Sequence, residues 1–430
     1  MKYFNSVLFF SFLLLLINCK NDDDLMMQEE EENIILTENI DLYNGDLVEN
    51  SLVLAVENGG NKSYLVDKSG TKVKEWNFDS NLGNDLEVMP DGRLLGMFKA
   101  TNPNITFGGF GGVIKIIDLD GTTDWEYTYS TEDYIAHHDV EMLPNGNILF
   151  LAWEKVSMLD AQQQGIDTTV DIYPETLIEV DPTTNQIVWK WNSYDHMIQD
   201  QHSDLPNFGS VSEHPNLLNL NYFMIPNGDI MHANGIDYDE QNDIIYMSVN
   251  FYSEIWVIDH STTTLEASTD LGGNYNKGGN LLYRFGNPEV YNNTAGQRLF
   301  YNNHFPNLLE DGVPGDGNVL VYVNGSNTSQ SSVYELQMPT TFNLLPGINN
   351  EPQLVWSYTN PDLFYGRICG ADRLQNGNTL ICEGDYGFWE ITPSGDTAWK
   401  YTGLDNEQFW RCYGYDYNDS AILSLDINFE

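Results

Sequence analysis

Three histidines, His138, His232 and His304, precede predicted hairpin turns at one constant spacing, although the whole chain contains only 8 histidines. Each lies seven residues before a turn residue, and these turn residues are Asn145, Asp239 and Asp311. Neutral imidazole can attack an electrophile, donate hydrogen bonds to anionic oxygens, or exchange a proton with a leaving group. It can also bind a metal ion or fill a polar channel, so the residue types alone leave several functions open.

The elements that would position these histidines belong to a repeated strand pattern. An apolar strand, an Asn-Gly or Asp-Gly turn and a second strand recur, because such turns accept the positive φ that tight hairpins require. A further strand pair follows each copy and ends in an aromatic residue, at Trp76, Trp125, Trp189, Tyr283, Trp356 and Trp399. Six copies of about four strands predict an all-β fold, a six-bladed β-propeller.

In a propeller the first strand of each blade lines the central channel, so residues in one register converge on one funnel. Counting back from the other three turns gives the remaining register positions, Asn84, Cys369 and Cys412. From Trp76 to Trp399 the copies average about 65 residues, against about 40–45 for a minimal blade. The surplus is expected in loops that build the binding face, chiefly 159–174 and 193–226.

Ring closure requires that the N- and C-terminal strands share one blade. Strands from Leu52 to Trp76 precede the first inner strand, whereas little chain follows Cys412. We therefore predict that the strand through Tyr415 and Tyr417 pairs with the N-terminal strands, which removes the open sheet edges.

The composition supports a folded β protein and excludes binding to nucleic acid. The chain carries 64 acidic against 18 basic residues, a formal net charge of −46, which repels phosphate backbones. With 41% hydrophobic and 13% aromatic residues it can bury a core despite this charge.

Residues 1–18 have the features of a lipoprotein signal peptide. A charged start at Lys2 precedes an apolar run over 7–17, which is too short to span a bilayer. The sequence Leu-Ile-Asn-Cys at 16–19 resembles a bacterial lipobox, which implies that Cys19 is acylated.

The acidic segment 19–33 is predicted to be a disordered tether, and 34–430 the propeller. Together with the lipid anchor, this predicts an outer membrane lipoprotein on the periplasmic or cell-surface face. Three thiols then remain, at Cys369, Cys382 and Cys412, and the spacing does not favour a disulfide between the first two.

An ordered series of segments resembles the bacterial arylsulfate sulfotransferase family, which moves a sulfuryl group between phenols without a nucleotide donor. The segments are 137–140 before 143–146, 194–196 leading to 211–215, 232–239, 282–288 and 303–305. The resemblance covers most of the chain after the tether and implies a histidine-bearing funnel in a six-bladed propeller. His304 matches the nucleophile that becomes transiently sulfated. His232, His138 and His137 match its supporting histidines.

The chain departs from this family where an arginine steadies the sulfate. The matching residues are Val249, Asn250 and Phe251, and Asn250 is predicted to bind substrate at this place. Arg411 directly precedes the register position Cys412, and Arg367 lies just before the register position Cys369. Either arginine is a candidate to supply the missing positive charge.

The resemblance implies a two-step exchange between phenolic sulfates and phenols that needs no cofactor and no metal. Neutral His304 would attack sulfur, while His138 and His232 would bind the anionic oxygens or serve the leaving group, with His137 at the substrate. Phe251 and neighbouring tyrosines would supply stacking walls for a phenol. The glycine-rich run 107–112 is interpreted as a flexible lip of the site.

Two other classes of function remain open from the residues. A metal-dependent hydrolase or lyase would use His138, His232 and His304 as ligands with Asp139 nearby. A surface-anchored propeller that only binds glycans or another protein would use an aromatic rim and need no histidine register.

Overall fold

The computed structural model describes residues 34–309, 312–404 and 407–427, and the chain from Leu36 onward forms one compact unit. The predicted signal peptide, tether and lipidated Cys19 lie outside the described residues, as does the turn residue Asp311. Within the described ranges no helix is long and apolar enough to cross a membrane.

The first half of this unit consists of short strands: β1 (Ile40–Tyr43), β2 (Ser51–Glu57), β3 (Lys62–Val66), β4 (Lys72–Asn77), β5 (Leu82–Val88), β6 (Leu94–Lys99), β7 (Gly112–Ile117), β8 (Thr123–Thr128), β9 (Tyr134–Met142), β10 (Ile148–Glu154), β11 (Glu175–Asp181), β12 (Gln186–Asn192), β13 (Met197–Ile198) and β14 (Leu218–Asn219). The second half continues in the same way: β15 (Ala233–Asp239), β16 (Ile244–Val249), β17 (Glu254–Asp259), β18 (Tyr283–Phe285), β19 (Asn303–Leu308), β20 (Asn318–Val323), β21 (Ser332–Gln337), β22 (Gln353–Thr359), β23 (Gly370–Arg373), β24 (Thr379–Glu383), β25 (Gly387–Ile391), β26 (Thr397–Thr402) and β27 (Phe409–Asp416). Helical turns are short: α1 (Met158–Gln163), α2 (Thr264–Ala267), α3 (Ser420–Leu423), and 3₁₀ turns at Ser193–His196, Val211–Glu213 and Pro288–Tyr291.

Most strands form four-stranded antiparallel meanders in which neighbours in sequence lie side by side. Strands β15–β18 and β19–β22 form two such sheets. An eight-stranded sheet, in the order β12-β11-β10-β9-β5-β6-β7-β8, contains two more meanders, and its middle pair, β5 and β9, meets through a parallel bridge between Asn84 and His138. The prediction of an all-β, propeller-like fold is therefore confirmed.

Both ends of the described chain contribute strands to ring closure. Strand β27 pairs antiparallel with β2, from Asp416 opposite Ser51 to Phe409 opposite Glu57, and completes the sheet β27-β2-β3-β4. In the opposite direction, β1 pairs with β26 and adds a fifth strand to the sheet β23–β26. The predicted pairing of the C-terminal strand with the N-terminal strands is present, and Tyr415 lies within it.

The two large insertions are packed onto the core rather than projecting as free loops. Apolar residues of both, such as Ile166, Ile198 and Leu218, are buried against Met247 and Trp256 of β16 and β17. Both segments therefore bury apolar surface in the same cluster as β16 and β17.

Four of the six register positions share an unusual backbone conformation. Asn84, His138, His232 and Cys369 have positive φ angles of 126°, 56°, 55° and 87°, and φ is 54° at Phe305, directly after His304. Non-glycine residues rarely adopt this region, so the surrounding structure must hold them there. The pairing between neighbouring strands also shifts by one residue or more in these strands. The ladder of backbone hydrogen bonds is thus interrupted there, as in a β-bulge that re-aims a side chain.

The inner strands of four meanders meet around one buried guanidinium group. This group belongs to Arg411 on β27. Its two terminal nitrogens each lie 2.9 Å from an oxygen of Asp139 on β9, and one also donates to the carbonyl of Asn234 on β15. Asp85 on β5 lies 3.4 Å away, and Asp139 in turn accepts the N–H of Ile236 at 2.6 Å. Arg411 is only 1% exposed, so this network replaces solvent at the centre of the ring.

Removing this cation should weaken the whole ring. We expect Arg411→Met to lower the free energy of unfolding by about 3–5 kcal/mol, because Asp139 is left as an unpaired buried charge. Urea unfolding followed by tryptophan fluorescence measures the loss. The control is Arg93→Gln, which breaks solvent-exposed ion pairs to Asp91 and Asp124 and should cost less than about 1 kcal/mol. Equal effects of the two substitutions would contradict the role assigned to Arg411.

Candidate functional site

The three register histidines meet at one cavity of about 380 Å³. The ring centroids of His138 and His232 are 4.8 Å apart. The ring centroid of Trp410 lies 5.5 Å from that of His138 and 6.0 Å from that of His304. The cavity is completed by amide, glycine and aromatic residues, namely Asn58, Asn84, Gly108, Gly109, Asn250, Phe251, Asn302, Tyr365, Gly366, Arg367 and Ile368. Residues from distant parts of the sequence therefore form a single polar site with aromatic walls.

Each cavity histidine is held through Nδ1. The partners of His138, His232 and His304 are His137, Asp229 and Asn324, at 2.8, 2.6 and 2.7 Å respectively. None of the three Nε2 atoms has a hydrogen bond to another residue in the described part of the chain. The arrangement leaves three oriented imidazole nitrogens for a bound molecule, and the partner sets the protonation of each ring.

The tautomer of His304 follows from its partner. The Nδ2 of Asn324 donates to the carbonyls of Tyr365 and Ile368, at 3.0 and 3.1 Å, so its Oδ1 faces His304 and accepts from Nδ1–H. The Nε2 of His304 then carries the lone pair. Burial, with added repulsion from His232 and Arg411, lowers the pKa of His304 to about 3, so the ring is neutral at physiological pH.

His232 has the opposite character. Burial opposes its protonation, but the carboxylate of Asp229 outweighs burial, and the pKa of His232 is raised above its ordinary value. Phe251 stacks on the ring at a centroid distance of 4.7 Å. His232 is therefore the cavity histidine whose cationic form its surroundings favour.

His137 lies behind His138 instead of in the cavity. It is fully buried, stacks on Trp153 at 3.6 Å, and its Nε2 lies 2.9 Å from Oε2 of Glu175. The other oxygen of Glu175 accepts from Trp153 Nε1 and from the N–H of Ala233. The prediction that His137 binds substrate directly is thus not supported by its position.

The candidate replacements for the family arginine occupy different places. Arg411 does not line the cavity, because its guanidinium is held by Asp139 in the layer below. Arg367 lines the cavity and is exposed, with its Nη2 3.3 Å from Tyr365 Oη. Asn250 also lines the cavity, but its amide is engaged with Asn302 and with a backbone carbonyl. The predicted substrate-binding role of Arg411 would require its displacement from Asp139, whereas Arg367 and Asn250 are already placed for contact.

The glycine-rich segment forms one wall of the cavity. The carbonyl of Gly109 accepts the N–H of His138 at 3.0 Å, and φ at Gly109 is 81°. A Cβ at this position would lie 2.0 Å from Nε2 of His138. The interpretation of the segment as a flexible lip is therefore not supported at Gly109, where the wall packs so closely on His138 that only glycine fits. Tyr252, in contrast, is fully buried and supplies no wall, whereas Phe251 does.

Over 34–309, 312–404 and 407–427, no group of three or more His, Cys, Asp or Glu side chains is arranged to hold a metal ion. Cys369, Cys382 and Cys412 are free, buried thiols.

Sequence reasoning found the cavity histidines but missed the groups that control them. Glu175, Asp229, Asn324 and Trp410 recur at no common spacing, and all four lie outside the register positions. The one available signal was Asp229, a carboxylate three residues before a register histidine.

A ring of antiparallel sheets around an imidazole-lined cavity defines a propeller-like protein with a central histidine site. The family model for arylsulfotransferase (ASST) matches residues 26–408, and the chain belongs to this family. The family membership indicates a function of the arylsulfotransferase type, with phenolic compounds as the general substrate class.

No curated protein matches the chain. Similar solved structures include a functionally unknown protein from Desulfotomaculum acetoxidans DSM 771, with 11% identity, a TM-score of 0.42, and coverage of 86% of this chain and 99% of that one. Apo AztD from Citrobacter koseri shows 8% identity, a TM-score of 0.39, and coverage of 86% and 99%. Kuenenia stuttgartiensis hydrazine synthase shows 14% identity, a TM-score of 0.38, and coverage of 68% of each chain.

The close approach of Gly109 to His138 can be tested directly. We expect Gly109→Ala to lower transfer from an aryl sulfate to a phenol by about 10²-fold, because the added methyl displaces His138. The control is Gly146→Ala, which has a similar φ of 83° but nothing within 4 Å of the new methyl. Steady-state rates are compared for the two variants at equal folded fraction. Equal losses would show that backbone strain, not the contact with His138, causes the effect.

Proposed function

We propose that this protein is an aryl-sulfate sulfotransferase that moves a sulfuryl group from a phenolic sulfate ester to a phenol through sulfated His304. The observation that carries the proposal is the hydrogen bond from His304 Nδ1–H to Asn324, which leaves a neutral, lone-pair-bearing Nε2 in the cavity. A nucleophile for sulfur needs this state, because a protonated imidazole has no free pair.

The positive charge that the family obtains from arginine comes here from His232. Its Nε2–H can donate to the sulfuryl oxygens, and Asp229 stabilises the cationic ring. Phe251 and Trp410 supply apolar walls against which an aromatic ring can lie. Arg367 at the cavity edge is available to contact the anionic donor as it enters.

The reaction then has two steps. In the first, Nε2 of His304 attacks sulfur, the bond from sulfur to the phenolic oxygen breaks, and the departing phenolate takes a proton from a cavity acid. In the second, the oxygen of the acceptor phenol attacks sulfur, its proton returns to the protein, and the sulfur–nitrogen electron pair returns to Nε2. A ping-pong exchange of this kind regenerates the protein and needs no nucleotide.

We also infer that the ring has six blades. The two meanders of the eight-stranded sheet are joined in the middle by a single bridge pair, and counting them separately gives six groups, five of four strands and one of five. The register positions support this count, because each of the six inner strands either contains one of them or begins directly after it.

We further propose that the protein is a lipoprotein anchored through Cys19 at the outer membrane, with its cavity open to phenolic sulfates and phenols outside the cytoplasm. The support is the apolar run and lipobox-like sequence before Cys19. The net charge of −46 further argues against nucleic acid as a partner.

The nucleophile can be tested with a chromogenic aryl sulfate. We expect His304→Ala to abolish transfer to an added phenol, because no other cavity imidazole is held as a neutral nucleophile by a neutral amide. Brief exposure of the unmodified protein to donor alone should leave an acid-labile sulfate on His304, detected by mass spectrometry.

The control is His202→Ala, a partly exposed histidine paired with Asp167 outside the cavity, which should keep full activity. A sulfate on another residue would contradict the assignment of His304. Lack of turnover across a donor panel, together with one metal ion per protein, would instead favour the metal-dependent hydrolase or lyase.

The pH dependence follows from the two opposite pKa shifts. His304 must be neutral, which holds above its pKa of about 3, and His232 must be protonated, which holds below its raised pKa. The value of kcat/KM should therefore fall as the pH rises through the pKa of His232. Asp229→Asn removes the stabilising carboxylate, so this alkaline limb should move to lower pH. An unchanged limb in the variant would exclude His232 as the required cation.

A further inference from the structure

A continuous hydrogen-bonded chain connects the cavity to the protein interior. It runs from His138 Nδ1 to His137 Nδ1 at 2.8 Å, and from His137 Nε2 to Glu175 Oε2 at 2.9 Å. His138 Nε2 lies at the cavity end, next to Gly109. Glu175 and His137 are fully buried, so no solvent reaches the inner end.

The donors and acceptors of this chain form a consistent set when Glu175 carries a proton. Its Oε1 accepts from Trp153 Nε1 at 3.1 Å and from the N–H of Ala233 at 2.7 Å, which suits the carbonyl oxygen of a carboxylic acid. Its Oε2–H then donates to His137 Nε2, and His137 Nδ1–H donates to His138 Nδ1. His138 Nε2–H is thereby presented to the cavity.

Burial favours this neutral arrangement at every member. It raises the pKa of Glu175 well above its usual range and lowers the pKa values of His137 and His138 well below theirs. His232, His137, His304 and Arg411 all oppose positive charge on His138. The imidazolium form of His138 is therefore disfavoured, which favours transfer of an arriving proton inward along the chain.

We propose that Glu175, His137 and His138 form a proton wire in which Glu175 stores the proton that is exchanged with phenol in each sulfuryl transfer. This inference rests on the proposed function. In the first step His138 Nε2–H gives its proton to the departing phenolate, His137 Nδ1–H protonates His138 Nδ1, and Glu175 Oε2–H protonates His137 Nε2. Phenol leaves, and Glu175 becomes the carboxylate.

The second step reverses every transfer. As the acceptor phenol attacks sulfur, its proton moves to His138 Nε2, the proton on His138 Nδ1 moves to His137, and the proton on His137 Nε2 returns to Glu175. Over the whole cycle no proton is gained or lost. His232 can keep its proton throughout, so its charge stays available to the sulfuryl oxygens.

Glu175→Gln provides the test. The amide preserves the hydrogen bonds, because its oxygen accepts from Trp153 and Ala233 and its NH₂ donates to His137, but it cannot release a proton. We expect sulfation of His304 by 4-nitrophenyl sulfate to change by less than about 10-fold, because nitrophenolate departs without protonation. Sulfation by phenyl sulfate, whose leaving group needs an acid, should fall by about 10²–10⁴-fold.

The matched control is Asp229→Asn, which removes the carboxylate beside His232. The substitution weakens the positive charge that His232 would offer to the sulfuryl oxygens. This control should slow the sulfation of His304 by 4-nitrophenyl sulfate and by phenyl sulfate by similar factors. If Glu175→Gln also slowed sulfation by both donors equally, Glu175 would have a structural role only. That result would overturn the proposal of a proton wire. If the unmodified protein transferred sulfate from neither donor, the proposed function itself would fail.

A second measurement needs neither turnover nor a variant. Nitrogen-15 NMR of the unmodified protein should show His138 protonated at Nε2 and unprotonated at Nδ1, because the wire at rest points toward the cavity. The reverse tautomer would mean that Glu175 is ionised at rest, and it would overturn the proposal even if sulfate transfer is observed.

Discussion

The ion pair between Arg411 and Asp139 is the constraint on which the rest of the structure depends. It joins the C-terminal strand to the inner strands of three other meanders at a point without solvent. Trp410, the preceding residue, is thereby fixed between His138 and His304. The same cation helps to keep both histidines unprotonated. Stability of the ring and reactivity of the cavity therefore have one electrostatic origin.

Around this centre, one residue type acquires three different properties from three different partners. A neutral amide leaves His304 with a lone pair on Nε2, a carboxylate favours the cationic form of His232, and a second imidazole connects His138 to the interior. The positive φ at His138 and His232, and at Phe305 after His304, shows that the inner strands are distorted where these rings are presented. The site thus concentrates backbone strain, which the surrounding sheets must offset.

The sequence allowed the propeller-like fold, the closing strand and the cavity histidines to be predicted, because each depends on a repeated spacing. The fate of Arg411 was not predictable in this way. Successive side chains of a strand face opposite sides, so Trp410 lines the cavity while Arg411 points into the layer below. Glu175 and Asn324 could not be found either, since their contacts join residues up to 58 positions apart along the chain and follow no period. Asp229 gave a signal only as a carboxylate three residues before His232.

The late position of Trp410 and Arg411 in the chain also determines when the cavity can form during synthesis. All three cavity histidines are translated before β26, yet the residue that separates two of them and the cation that unites the inner strands belong to β27. A nascent chain that lacks this strand therefore has the reactive groups without the geometry to use them. The cavity can therefore assemble only after β27 has been synthesised and has paired with β2.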